Sequence, residues 1–158
     1  MANDGYTWKG SQMARHILRL IEENKVELGI QGTIYGDQMT IPVSPYCCVE
    51  PANVRRAYDG VPFMTQNTVS VAVILYGTGI EGATDVQEKL DDVSDGVADF
   101  LNQESLPEMY GGNLLGGKIT EGFVETHEYG YVMKSDRKMR ANRIIWTGTT
   151  HTKLTEGY

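Results

Sequence analysis

The chain lacks several features on which whole classes of protein depend. Its only two cysteines, Cys47 and Cys48, are adjacent, so a disulfide between them would be strained and they cannot by themselves build a zinc site. The net charge of −7 leaves no basic stripe for binding nucleic acid. The longest apolar run, residues 69–76, is too short to cross a bilayer. The first residues contain no basic n-region followed by an apolar h-region. These absences predict a soluble protein that is made inside the cell.

The composition, in contrast, is that of an ordinary globular domain. The chain has 158 residues, of which 41% are hydrophobic and 22% charged, so we expect a single domain over residues 1–158. Three segments are expected to lie outside its core: an N-terminal arm (1–10), an extended loop (50–67) and a flexible C-terminal tail (152–158). The segment 50–67 has no clean periodicity and contains two prolines. Loops of that length are usually functional or bound to a partner.

Hydrophobic periodicity predicts two amphipathic helices and several strands. The first helix begins at Ser11, presents one apolar face and ends near residues 24–29. The second begins at Thr84 and carries its apolar stripe at Val86, Leu90, Val93, Val97 and Leu101.

The strand pattern completes the fold class. Residues 69–76 alternate as a central strand does, and the segments 118–134 and 139–150 predict an antiparallel hairpin. Between residues 30 and 50, prolines limit the short runs 33–35, 39–43 and 46–49 to edge strands. The pattern therefore predicts an α+β fold: a mainly antiparallel sheet with two helices packed on one face and a long inter-strand loop.

A glycine turn between the central strand and the second helix raises the possibility of nucleotide binding. Gly77, Gly79 and Gly82 have the spacing of the dinucleotide fingerprint, in which a pyrophosphate approaches a helix N-terminus. Glu81 and the acidic first turn of the helix, however, place negative charge where phosphates would bind. We therefore favour a structural turn, with a small nucleotide- or dinucleotide-binding enzyme as the alternative.

The polar residues form no recognisable catalytic or metal-binding pattern. The histidines at positions 16, 127 and 151 are scattered, with His16 on the polar side of the first helix. No serine or cysteine lies in a nucleophile elbow. Carboxylates clustered on one helix attract hard cations, but they cannot surround an ion alone. We therefore expect no catalytic residue, no cofactor and no metal, and we interpret four carboxylates as a solvated acidic face of the second helix: Asp91, Asp92, Asp95 and Asp99.

The order of elements resembles the tail-terminator and neck (head-to-tail joining) proteins of tailed bacteriophages. Three parts of the sequence carry the resemblance: the opening helix 13–21, the strand and helix over 69–101, and the ending 139–146. The likeness covers nearly the whole chain and rests on element order, without an invariant motif. Members of this family are small α/β virion structural proteins without enzymatic activity.

The resemblance implies a function in virus assembly. Such subunits form a homo-oligomeric ring, usually of six copies, that stops polymerisation of the tail tube and joins it to the head connector. It implies a location in the virion neck or tail after assembly in the host cytoplasm, no contact with a membrane, and DNA passing through the ring without specific binding. The candidate subunit contacts are Tyr6, Trp8, Arg55, Arg56 and Tyr58. The acidic face at Asp91, Asp92, Asp95 and Asp99 is the candidate wall of the lumen, or else lies on the outer rim.

Overall fold

In the described part of the chain, five strands form one sheet, and two long helices pack on one of its faces. The computed structural model describes residues 10–58, 64–77 and 84–153. The helices and strands within them are α1 (Gly10–Glu23), α2 (Lys25–Leu28), β1 (Gly32–Tyr35), β2 (Tyr46–Tyr58), β3 (Met64–Gly77), α3 (Thr84–Ser105), β4 (Glu121–Lys134) and β5 (Arg137–Lys153). A 3-10 turn at Glu108–Tyr110 and a short helical turn at Leu114–Gly117 connect α3 to β4.

The sheet order is β1-β2-β3-β5-β4, in which only β1 and β2 run parallel. The predicted α+β class, with a mostly antiparallel sheet, is therefore confirmed, and so is the central position of the strand containing residues 69–76. The predicted C-terminal hairpin is also present, as β4 and β5.

The main hydrophobic core lies between the sheet and the two helices. The apolar faces of α1 and α3 meet the inward-facing side chains of the three central strands. Fully or nearly fully buried members include Met13, Ile17, Ile21, Val71, Val73, Leu75, Leu90, Val97, Leu101 and Ile144. Burial of each large aliphatic side chain favours the folded state by roughly 1.5–3 kcal/mol before entropy is subtracted. Both helices therefore pack on the same face, as the sequence pattern predicts.

Trp146 anchors the end of α3 to the sheet. Its indole is fully buried, and its N–H donates to Ser105 Oγ at 2.8 Å. The ring lies over two glycines, since an added Cβ at Gly148 would come within 2.1 Å of it and one at Gly122 within 2.8 Å. A glycine on the same strand and another on neighbouring β4 thus make room for the largest side chain of the core.

The extended loop predicted over residues 50–67 is wrong. β2 continues to Tyr58 and β3 begins at Met64, with Arg55 opposite Thr68. The ladder tolerates Pro51 because the register shifts between Pro51 and Asn53, as in a β-bulge. The polar strand ends show no alternation of hydrophobicity because they extend beyond the core. Backbone pairing of β2 with β3, and of β3 with β5, holds them there. Residues 59–63 lie outside the described part of the chain.

The segment between β1 and β2 also differs from the sequence prediction. Residues 39–43 are not a strand, and β2 is an interior strand rather than an edge. The cross-face segment (residues 36–45) lies on the sheet face opposite the helices. There Ile41 packs with Cys48, Ile74 and Met139 in a second, smaller hydrophobic cluster. Because β1 and β2 are parallel, the chain must run back along the length of the strands before β2 begins, and the cross-face segment makes this return.

The structure also corrects two predictions, one for His16 and one for the C-terminal tail. His16 was expected on the polar side of α1, but it is 91% buried and its Nε2 lies 2.9 Å from the carbonyl oxygen of Leu115. The turn Leu114–Gly117 covers this side of α1, which a helix considered alone would leave exposed. At the C-terminus, residues 152 and 153 belong to β5, so the predicted flexible tail is wrong for them. The remaining tail residues, 154–158, and the arm residues 1–9 lie outside the described ranges.

Candidate interaction surfaces

Of the five predicted subunit contacts, the structure places the side chains of two. Arg55 and Arg56 are both exposed, on the part of β2 that extends past the core. As consecutive strand residues they point to opposite faces of the sheet. Tyr58 is the last residue of β2, but its side chain is not described, and Tyr6 and Trp8 lie in the undescribed N-terminal arm. The two arginines are thus available to a partner, one on each face.

The acidic face of α3 is smaller than predicted, because Asp91 turns towards the sheet. Its Oδ1 accepts from Arg140 Nε at 3.1 Å and from Asn142 Nδ2 at 2.8 Å, while its Oδ2 accepts from Arg140 Nη2 at 3.0 Å. The two hydrogen bonds that Arg140 donates to Asp91 raise the pKa of Arg140. The polar residues of β5 lie directly below Asp91, at the border of the apolar stripe. Asp91 is therefore a structural residue that joins α3 to β5, and its assignment to the acidic face is wrong.

Asp92, Asp95 and Asp99 remain exposed and do form a negative surface along α3. Spacings of three and four residues place them on one side of the helix. Asp95 accepts a hydrogen bond from the hydroxyl of Tyr129 on β4, and this bond raises the pKa of that phenol to about 12. The location of this surface in an assembly, lumen or rim, stays a prediction.

A cluster of Ser94, His127 and Asp95 has the outline of a hydrolytic triad, which the sequence did not indicate. His127 Nε2 lies 3.1 Å from Ser94 Oγ, and His127 Nδ1 lies 3.8 Å from Asp95 Oδ1. The three residues come together because β4 passes beneath α3, a contact between segments 33 positions apart. No local sequence motif indicates such a contact.

The hydrogen bonds of Ser94 do not suit a nucleophile. Its Oγ donates to the carbonyl oxygen of Asp91 at 2.9 Å and accepts from Asn142 Nδ2 at 3.0 Å. A hydroxyl has one proton to donate, so the remaining bond requires His127 to donate its Nε2–H to Ser94. A general base needs the opposite arrangement, in which Nε2 receives the serine proton. Ser94 is also fully buried, so this cluster is a structural polar network beneath α3.

An exposed aromatic surface lies on β4 beside this network. Tyr129, Tyr131 and Met133 alternate along the helix-side face of β4 and are 47%, 49% and 62% exposed. The Arg140 guanidinium lies 5.0 Å from the ring centroid of Tyr131 and 6.0 Å from that of Tyr129. His127 stacks on Tyr129 with ring centroids 4.5 Å apart. Tyrosine, methionine and arginine are enriched in protein interfaces, and these are already held in place by their neighbours.

In the part of the chain that the structure describes, each outer strand of the sheet has one edge that pairs with no other strand. Among the strands that the structure describes, β1 pairs only with β2 and β4 only with β5. One outward N–H of β4, that of Val124, donates to Asn102 Oδ1 on α3 at 2.7 Å. An open edge is a template for pairing with another chain unless it is blocked.

On the opposite face of the sheet, one acidic residue fixes the cross-face segment to the strands. Asp37 accepts from the hydroxyl of Tyr76 at 2.8 Å and forms an ion pair with Lys134 at 3.1 Å. Burial alone would raise the pKa of Asp37, but the hydrogen bonds from Tyr76 and Lys134 outweigh it and lower the pKa. This contact fastens the segment to β3 and to the end of β4.

The start of the glycine turn has a packing role. A Cβ on Gly77 would lie 2.9 Å from Leu90 Cδ2, so glycine at this position lets α3 approach the end of β3. β3 is also antiparallel to both of its neighbours, whereas the dinucleotide fold uses parallel strands. Residues 78–83, which include Gly79 and Gly82, are outside the described ranges.

The chain was compared with protein-family models and with curated protein sequences. No protein-family model matches the chain, and no curated protein sequence matches it significantly. Within residues 10–58, 64–77 and 84–153, no group of histidine, cysteine and acidic side chains could hold a metal ion. None of the helices described there is long and apolar enough to cross a membrane.

Proposed function

We propose that this chain is a structural subunit of a bacteriophage neck or tail. In this proposal, several copies, six by analogy with the family, form a ring that ends the tail tube and joins it to the head connector. The protein is then a component of the virion, it is assembled in the host cytoplasm, and it has no catalytic activity. The proposal originates in the element order of the sequence.

The observation that carries it furthest is that, among the described residues, no strand pairs with the outer side of β1 or of β4. A ring needs two different surfaces on each subunit, because head-to-tail contacts must repeat around a closed circle. Here β1 and β4 supply two unlike edges, and β4 adds the exposed surface of Tyr129, Tyr131 and Met133. A small protein that keeps such features on its surface risks aggregation unless a partner covers them.

The charge distribution supports passage of DNA without binding. The chain carries a net charge of −7, and Asp92, Asp95 and Asp99 form an exposed negative surface. A lumen lined by such carboxylates would repel phosphates and keep DNA moving. The exposed Arg55 and Arg56 lie at the end of the sheet that extends past the core, where a tail-tube or connector protein could contact them.

The alternative, a nucleotide-binding enzyme, finds less support. The packing of Gly77 against Leu90 accounts for one of the three glycines, and the neighbours of β3 run antiparallel. The two functions separate in a simple experiment. We expect NAD and ATP to leave the melting temperature unchanged, whereas a nucleotide at 100 times its Kd would stabilise the protein by roughly 2.7 kcal/mol.

Electron microscopy of the purified protein tests the proposal directly. We expect negatively stained particles with a central opening and cyclic symmetry. When mixed with polymerising tail tubes from the same phage, the protein should be found at one end of each tube and should limit tube length. Single-copy particles that never associate with tubes would refute the proposal.

A further inference from the structure

We propose that the β4 edge of one copy pairs with the β1 edge of the next, so that the sheet continues from subunit to subunit. This inference rests on the proposed function, since it names the contact that would close the ring. The partner of the β4 edge is thus a second copy of this chain. Three observations support it: the level of the two edges, the direction of their strands and the charges beside them.

The two edges lie at the same level of the sheet. Two residues are at the same level when a row of paired residues across the strands connects them. Such a row begins at Thr33 on β1 and ends at Tyr129 on β4, passing through Cys47, Leu75 and Asn142. By the same path Tyr35 is level with His127. The four residues of β1 therefore face the middle of the β4 edge when one subunit follows another without a shift along the strands.

The strand directions favour an antiparallel junction. β1 runs parallel to β2, and each later step across the sheet reverses direction, so β4 runs opposite to β1. A ring operation that preserves strand direction then places β4 antiparallel to the β1 of the next copy. Antiparallel pairing is slightly the more stable of the two arrangements.

The helices bring complementary charges to this junction. Arg15 of α1 lies over the ring of Tyr35 at 5.0 Å, and exposed Arg19 follows one helical turn later on the same side. Asp95 of α3 contacts Tyr129 of β4, and exposed Asp99 follows it by one turn. Glu22, on the same side of α1, already accepts a hydrogen bond from the hydroxyl of Thr33. Because both helices lie on the same face, the junction sets Arg15 and Arg19 of α1 against Asp95 and Asp99 of α3.

Aromatic contacts would complete the interface. Tyr35 is 37% exposed on the helix side of β1 and would lie across from His127 and its stacked neighbour Tyr129. Cross-strand pairs of aromatic side chains stabilise the pairing of neighbouring strands. The contact thereby covers the part of the β4 surface nearest the junction.

Disulfide trapping tests the register. The double variant Thr33→Cys/Tyr129→Cys places one thiol on each edge at the same level. Within one copy the two positions are four strand spacings apart, about 19 Å, which is far beyond disulfide reach. Native Cys47 is paired with Thr33 on the adjacent strand and lies within disulfide reach of a thiol there, so these variants are made in a Cys47→Ala background. Native Cys48 is fully buried and points to the other face, so it should not compete. Mild oxidation with copper phenanthroline should therefore give a ladder of covalent multimers on a non-reducing gel.

The single variants Thr33→Cys and Tyr129→Cys are the controls. Each carries one new thiol and can give a covalent dimer at most, so multimers larger than a dimer must come from the double variant. A double variant that stays uncross-linked, while the wild-type protein is a ring, would overturn the inference and leave the proposed function standing. A wild-type protein that is monomeric would contradict both the edge-pairing inference and the proposed function.

Charge reversal gives an independent test. We expect Arg15→Glu or Asp99→Lys alone to weaken self-association by about three- to tenfold, and the double variant to recover most of the loss. Arg137→Glu, at the exposed β4–β5 turn, makes the same charge change away from the junction and should have no such effect. Losses that the double variant fails to recover would contradict this junction.

Discussion

Replacement of Asp91 by alanine should destabilise the protein far more than replacement of its neighbour Asp92. Asp91 accepts two hydrogen bonds from Arg140 and one from Asn142, and its side chain is 29% exposed. Asp92 is exposed on the next position of the same helix. The two substitutions remove the same charge from adjacent residues, so a difference between them isolates the hydrogen bonds.

The expected loss of stability follows from the donors of Arg140 and Asn142, which Asp91→Ala leaves without their acceptor. A hydrogen bond to a charged group contributes about 1.5–3 kcal/mol, and a buried donor without a partner incurs a further loss. Water can reach part of the Arg140 site, since that side chain is 17% exposed, whereas Asn142 is fully buried. We therefore expect Asp91→Ala to lower the free energy of unfolding by about 2–3 kcal/mol, against less than about 0.5 kcal/mol for Asp92→Ala.

Urea denaturation followed by circular dichroism measures both values. At this chain length, a change of that size corresponds to a fall in Tm of roughly 5–10 °C. Asp91→Asn should fall between the two alanine variants, because it keeps an acceptor but loses the charge. Equal stabilities for Asp91→Ala and Asp92→Ala would refute the account of the network and return Asp91 to the solvated acidic face.

Three further predictions follow from buried groups. Burial lowers the pKa of His16 below its usual 6.5, so the folded protein binds this proton less readily than the unfolded chain; stability should fall as pH drops below 6.5, and less steeply in His16→Gln. Gly148→Ala should destabilise by about 3 kcal/mol or more and red-shift the fluorescence of Trp146, because a Cβ there would meet the indole; wild-type-like stability would contradict this packing. Burial raises the pKa of the Cys48 thiol to about 12 and that of Cys47 as well, so neither should react with a thiol reagent until the protein unfolds, and rapid native labelling would count against their burial.

The parts of the fold that depend on local pattern could be predicted from the sequence. The stripe from Leu90 to Leu101 has a helical period and a continuous apolar face, so it specifies both the helix and the side that is buried. The alternation of residues 69–76 likewise specified a strand that is covered on both faces. These signals arise from interactions within one element and the core, and a single sequence contains them in full.

The segment 50–67 could not be predicted in this way. Val54 packs against the main core, but the strands extend past it, where backbone pairing with neighbouring strands stabilises them. Prolines normally argue against a strand, but the bulge beside Pro51 accommodates one. The information that makes this segment a strand lies in its partners, which no local pattern reports.

The candidate surfaces depended even more on contacts between distant residues. Asp91 and Asp92 are equivalent in sequence, yet only Asp91 faces β5, because Arg140 and Asn142 lie beneath it. The burial of His16 likewise depends on a turn 99 residues away. Helical spacing places a residue on a side of the helix, but the element that covers that side is known only from the tertiary structure.

The molar mass of the protein in solution is the most direct test of the central claim that this chain is a ring subunit. Size-exclusion chromatography with light scattering, at micromolar concentration and physiological salt, reports it without a partner or a label. The account predicts one discrete species of several copies; six copies of a 17.6 kDa chain give about 106 kDa. A mass of one copy that persists as the concentration is raised, and in the presence of tail tubes, would contradict it.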